Sequence, residues 1–442
     1  MEPEVSNDPE AGDGGEDSEP FDPFASRKGR HLTTDFETLT HILKASIGTG
    51  ILGMPMAFKN VGLTMGVLAT IVVGVVCAHT SNILVESAHV LYHKLGVSSL
   101  TYPDVGENAF LHGPQWAKKY SQAARSTIII GLFFTYFGTC SVYTVIIAYN
   151  FQQVIEHYSK AEMDPRVYIA ALFIPLVILC GIPNLKLLAP VSLVANVFMG
   201  VALLITGYYL VTNIPPISER YQFLPITGMP VYLGITIFAV QAIGVVMPLE
   251  NNMKTPKSLL GLTGILSTGT AGIALVYILI GFLGYLRYGD EVEGSITLNL
   301  PGKDVKAQVV KVFIGLGIFL TYGLQFFVTL EIAWVGIKDK FPNNQIIAEY
   351  ILRTILVVIT VVLAVAVPTI GPFMGLVGAV CFSLVGIIVP PVIEVVTFWD
   401  EGLGYAYYRI WKNSIIIIFG AIAMLSGSYV NILDIIDMYN KL

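Results

Sequence analysis

The chain has 442 residues, 54% hydrophobic and only 13% charged, with a mean hydropathy of +0.70 and a formal net charge of −6. A soluble domain carries about a quarter charged residues, so this composition excludes a soluble enzyme, a disordered chain and a nucleic-acid binder. It describes an all-α polytopic membrane protein, with lipid as its surroundings.

Residues 1–26 hold nine acids and no Lys or Arg. Such a Gly-, Pro- and acid-rich leader buries too little apolar surface to offset its ordering entropy, which predicts a disordered acidic cytoplasmic tail over residues 1–34. It lacks the basic start and apolar stretch of a signal peptide. The membrane body is expected over 35–442.

A spanning helix needs roughly 20 apolar residues. Stretches free of Asp, Glu, Lys and Arg run over 45–58, 60–85, 126–155, 167–185, 187–218, 221–249, 258–286, 312–330, 354–393 and 413–433. The ninth is too long for one crossing and is punctuated by Pro368, Gly371 and Pro372, so it reads as two helices. Eleven transmembrane helices result. Counting Lys and Arg by side favours an N-terminus in the cytoplasm, fourteen basic residues against nine. The polar connection over 86–125 is expected along the inner membrane surface. The largest outer loop is Tyr285 to Lys306. Cys77, Cys140, Cys180 and Cys381 lie in apolar runs, which argues against a disulfide framework.

Two spans are interrupted. The first reads HILKASIGTGILGMP from His41 to Pro55, and the sixth reads VQAIGVVMPLENN from Val240 to Asn252. Hydrocarbon cannot satisfy the backbone groups that such breaks release, so breaks survive where they line a cavity or a ligand. Glycine also permits close packing, and proline also kinks. The Met54-Pro55 and Met247-Pro248 steps lie 193 residues apart. This spacing predicts a 5+5 inverted repeat over about 39–212 and 231–397, with an eleventh helix over about 413–437 and a binding site at the membrane midplane.

The strings HILKASIGTGILGMP, YPDVGENAF at 102–110, MPLENNMKTP at 247–256, GSITLNLP at 294–301 and VPPVIEVVTFW at 389–399 together resemble the proton-coupled amino acid transporters of the amino acid/auxin permease family. The resemblance covers about residues 35–437. It implies a fold of leucine-transporter type that moves small neutral amino acids with protons across plasma or lysosomal/late endosomal membranes. It makes His41 the candidate proton acceptor. Where the family has a phenylalanine-alanine-phenylalanine-glutamate-glycine string, this chain has Phe238-Ala239-Val240-Gln241-Ala242, so the second ionisable position is missing and coupling is expected to be weak or absent.

On that frame Gly48, Thr49 and Gly50 supply bare amides to a substrate carboxylate, with Ser46 beside them. Ala239, Gln241 and Gly244 line the opposite wall. Tyr136 and Tyr143 of the third span and Tyr322 of the eighth flank the pair, together with Thr321 and Gln325; a packing role is equally open for each tyrosine. Glu331 and Glu394 are either functional carboxylates or surface partners of Lys or Arg. No phosphate-binding loop and no H-E-x-x-H pair occurs, and neither catalytic residue, metal nor cofactor is expected. The reading is a secondary active or facilitative carrier of small neutral amino acids, with protons as a candidate co-substrate. An amino-acid-sensing receptor with little flux is the alternative.

Overall fold

The computed structural model describes residues 22–27, 32–160, 162–182 and 185–440. Most of the expected tail lies outside these residues. Asp22–Arg27, however, is not free: it ends in a 3-10 turn, Ala25–Arg27, packed on the body with Arg27 buried. The leader's average composition hides the aromatic ring of Phe24, and Arg27 just after the leader supplies a guanidinium; both find partners there.

Among the described residues the chain is helical, and its isolated β-bridge, Thr33 to Met253, builds no sheet. Nine helices there are long and apolar enough to cross a membrane. Two further apolar segments fall short of that length. The first run is split into α1 (Asp35–Ser46) and α2 (Gly50–Val61). The fourth, α6 (Pro165–Cys180), is short and is interrupted at Leu172. The sequence reading of eleven crossings counts each of these two segments as a span; by length and composition, nine helices among the described residues qualify.

The remaining helices are α3 (Leu63–Leu95), α4 (Tyr102–Leu111), α5 (Ser121–Ser159), α7 (Leu185–Val211), α8 (Met229–Val240), α9 (Ile243–Asn251), α10 (Ile265–Tyr288), α11 (Val305–Ile337), α12 (Gln345–Ala366), α13 (Ile370–Thr397) and α14 (Tyr408–Asn440). The forty-residue run divides at Val367–Thr369, because Pro368 cannot donate to a helical ladder. Within α13, Gly378–Ile388 is π-helical.

Local chemistry sets the starts. Thr34 and Glu37 form a capping box on α1, and Thr101 and Asp104 form another on α4, each satisfying amides that a helix start leaves open. Arg125 of α5 bonds both Asp104 and Glu107 at 2.5 Å and fastens α4 to the bundle. Burial raises the Asp104 carboxyl, and the Thr101 and Arg125 hydrogen bonds more than offset it, so the group sits below its ordinary value.

Two groups of helices pack around the centre. One contains α1, α2, α3, α8, α9 and α10; the other contains α5, α6, α7, α11 and α12, with α13 and α14 against α8. The α5 helix and the segment Ile226–Asn251 are the most buried of the long spans. Buried polar groups join helices where lipid offers no partner. Tyr322 meets Thr360 at 2.8 Å, and Glu394 takes Lys412 at 2.8 Å and Asn413 at 2.8 Å. Glu394 is thus a partner of basic residues, whereas Glu331 is exposed.

Candidate functional site

Both runs are interrupted, in each case upstream of the Met-Pro step, and Pro55 and Pro248 lie inside the second half-helices. The second half-helices start at Gly50 and at Ile243, again 193 residues apart. Between the halves lie Ile47–Thr49 in the first run and Gln241–Ala242 in the sixth. The two breaks touch. A Cβ added at Gly50 would stand 2.4 Å from the Ala239 Cα, so only glycine admits this approach.

Beside the contact lies a cavity of about 90 Å³, several times the roughly 10–15 Å³ that one water requires. A ligand of several non-hydrogen atoms fits. Ser46, Gly48, Thr49, Gly50, Tyr136, Tyr143, Ala239, Gln241 and Gly244 all line it. Tyr322 does not, being engaged with Thr360. His41 does not either; it stands on the exposed face of α1, one turn before Ala45, which does line the cavity. Gln325 contributes from α11, while Thr321 bonds its own helix at the Gly317 carbonyl.

Sequence reasoning missed Phe382 of α13 and Phe238, Leu132, Thr135 and Thr139 as wall residues. They sit in ordinary apolar helical patterns, and no local signal separates cavity wall from core. No Asp, Glu, Lys or Arg lines the cavity among the described residues.

Each break manages its backbone differently. At the first, the Tyr277 hydroxyl donates to the Ser46 carbonyl, and the Gly48 amide also reaches it at 2.7 Å. Neither Thr49 nor any other side chain caps α2, and the Ser46 hydroxyl is buried without a partner. Open amides at a helix start carry partial positive charge. At the second, Gln241 uses both ends of its amide. Nε2 donates to the Gly386 carbonyl at 3.0 Å, and Oε1 accepts from the Ala242 amide at 3.1 Å.

The cavity is closed at one end and reachable at the other. Thr49, Gly50, Thr139 and Tyr143 are buried, whereas Gly244 and Val245 are half-buried and Ala45 is exposed. The reachable end is therefore the one where α1 begins and α9 ends. Over the opposite side of the molecule the connection from α10 to α11 folds back as a cover. Its Thr297 donates to Asn150 of α5 at 2.9 Å, Gln153 of α5 donates to its Leu298 carbonyl at 3.3 Å, and Lys59 in the last turn of α2 reaches its Val292 carbonyl at 3.2 Å.

At the α9 end, Glu250 is fully buried and takes Arg27 at 3.1 Å, His89 at 2.9 Å and Tyr92 at 2.7 Å. Phe24 stacks edge-on to His89 with centroids 5.0 Å apart. This strap ties the N-terminal segment to α3 and α9. A buried carboxylate demands such partners, and Glu250 at the end of an apolar run gave no sign in sequence of which groups would supply them, nor did Arg27.

Comparison with known proteins agrees with this architecture. Residues 31–433 match the family described as transmembrane amino acid transporter protein. The chain is 53% identical over 421 residues to the "Proton-coupled amino acid transporter-like protein pathetic" of Drosophila melanogaster, covering 95% of this chain and 89% of the relative. It is 24% identical over 433 residues to the "Probable amino acid transporter skat-1" of Caenorhabditis elegans, covering 94% and 93%. The chain belongs to the transmembrane amino acid transporter family, as an integral multi-pass membrane protein and not an enzyme.

Proposed function

We propose that this chain carries small neutral amino acids by alternating access about the cavity between the two helix breaks. One observation carries the reading: both breaks line the same cavity, and no Asp, Glu, Lys or Arg lines it among the described residues. A zwitterion meets complementary backbone there. Its carboxylate faces the uncapped amide start of α2, and its ammonium faces the carbonyl ends of α1 and α8. An acidic or basic substrate side chain would be desolvated with no counter-charge.

The access end lies on the cytoplasmic side, a reading supported by the distribution of Lys and Arg. Release to the outside or to an organelle lumen requires the cover over Val292–Leu300 to lift. Proton drive enters through His41, on the α1 face that leads to the cavity; the name of the Drosophila relative supports coupling, and Gln241 has no proton to exchange. The inverted repeat rests on the 193-residue offset of the two restarts.

Uptake of labelled alanine into reconstituted vesicles, competed by unlabelled amino acids, tests the cargo. Proline and serine should compete, and glutamate and lysine should not. Equal competition by glutamate at neutral pH would contradict the assignment. For coupling, wild-type uptake should rise as external pH falls through about 6–7, the imidazole range, and His41→Gln should flatten that profile. A flat wild-type profile would remove His41 from the mechanism.

A further inference from the structure

The YPDVGENAF string has no part in the mechanism above, yet its first residue reaches the cavity wall indirectly. Tyr102 opens α4, the short helix fastened to α5 by the Asp104 and Glu107 pairs with Arg125. Its ring is buried, and its hydroxyl donates to the Val385 carbonyl at 2.5 Å. The next carbonyl, Gly386, accepts from Gln241 at 3.0 Å. A Cβ on Gly386 would stand 2.5 Å from Gln241 Cγ, so that position is small for the amide's sake.

Both carbonyls belong to the π-helical stretch Gly378–Ile388. A π-helical turn is rare and occurs frequently at functional sites. Here two side chains from different elements supply donors to consecutive carbonyls. Phe382 stands on the same stretch, lines the cavity and meets Phe238 edge-on at 5.5 Å. Relaxation of the π-helical turn toward α-helix would rotate Phe382 relative to the cavity.

We propose that Tyr102 is a positioning residue for the cavity: with Gln241 it holds the π-helical turn at Val385 and Gly386 and thereby sets where Phe382 stands in the wall. Tyr102 never touches the substrate. The inference rests on the cavity being the substrate site, and it assigns the surface helix α4 a part in substrate affinity.

Tyr102→Phe removes one hydroxyl and keeps the packed ring, while the Arg125 pairs and the Thr101 box still hold α4. Two readouts follow. Hydrogen–deuterium exchange should quicken within 378–388 and stay unchanged elsewhere. Uptake of labelled alanine should show KM raised about 3- to 10-fold, the scale of one hydrogen bond, with Vmax and membrane abundance within about twofold. In a Phe382→Ala background, Tyr102→Phe should add no further change in KM, because the residue through which it acts is gone. Unchanged exchange in 378–388 overturns the proposal, and so does independent multiplication of the two KM effects. If Phe382→Ala alone leaves KM at the wild-type value, the cavity reading fails, and the exchange result still decides whether Tyr102 holds the turn.

Discussion

The two helix breaks solve one problem in opposite ways. Both interrupt a span inside the bundle, and both restart 193 residues apart in register. At the first, the support comes from outside: Tyr277 of α10 holds the Ser46 carbonyl, and the restart of α2 is left uncapped beside an unpartnered Ser46 hydroxyl. At the second, the break residue supports itself, since Gln241 occupies the Ala242 amide and binds the neighbouring α13. One break thus keeps polar groups free for a ligand, and the other is tied into the protein. Binding energy should accordingly come chiefly from the first, while the second governs the shape of the wall.

The largest expected effect breaks the contact between them. Gly50→Val forces α2 away from the Ala239 backbone, so folded protein should be lost along with transport, as seen by monodispersity in detergent and abundance in membranes. A well-folded Gly50→Val protein would show that the two breaks do not meet. Gly50 is therefore small for packing as well as for the cavity.

Gln241→Glu attacks the self-supported break alone. A carboxylate cannot donate to the Gly386 carbonyl, whereas a protonated carboxyl can. Alanine uptake should be lowered severalfold at pH 7.5 and recover as pH falls toward 5.5, opposite in direction to any general acid damage. Uptake equal to wild type across that range would mean that Gln241 supports nothing.

Tyr277→Phe probes the first break more gently, since Gly48 still reaches the Ser46 carbonyl. A loss of about 1 kcal/mol in stability is expected, the net worth of one hydrogen bond, read from thermal unfolding in detergent. Alanine KM should rise with it. An unchanged melting temperature would detach Tyr277 from the break.

Gly48→Ala should have the smallest effect on the fold. Its added Cβ lies 3.9 Å from both the Ser46 carbonyl and the Tyr143 hydroxyl, ordinary contact distance, so expression should match wild type. The methyl group enters the cavity, and larger neutral amino acids such as leucine should lose more uptake than alanine. A uniform loss across sizes would place Gly48 outside the substrate's path.

Much of the site was legible because membrane physics makes backbone exceptions conspicuous. Glycines and prolines inside the runs from His41 to Pro55 and from Val240 to Asn252 can survive in hydrocarbon only with special support, and the break residues read from them line one cavity together with Tyr136 and Tyr143 of the flanking helix. Tyr322 failed to join them because a tyrosine on a flanking helix can turn to either neighbour, and Thr360 offered a hydrogen bond in the other direction. His41 could be placed on α1 but not on a face of the cavity, since helical period gives relative direction only.

By itself, then, the sequence determined the membrane class, the helical character, the positions of the breaks and the register between them, all of which follow from hydropathy and backbone chemistry along a single run. Tertiary structure decided what no run contains. It sets the Ala239 backbone against Gly50, seats Arg27 on Glu250, brings Phe382 to the cavity wall and sets Tyr102 against the Val385 carbonyl behind it. Side chains in apolar helices look alike in sequence whether they face lipid, core or cavity, and only the packing of one helix on another tells them apart.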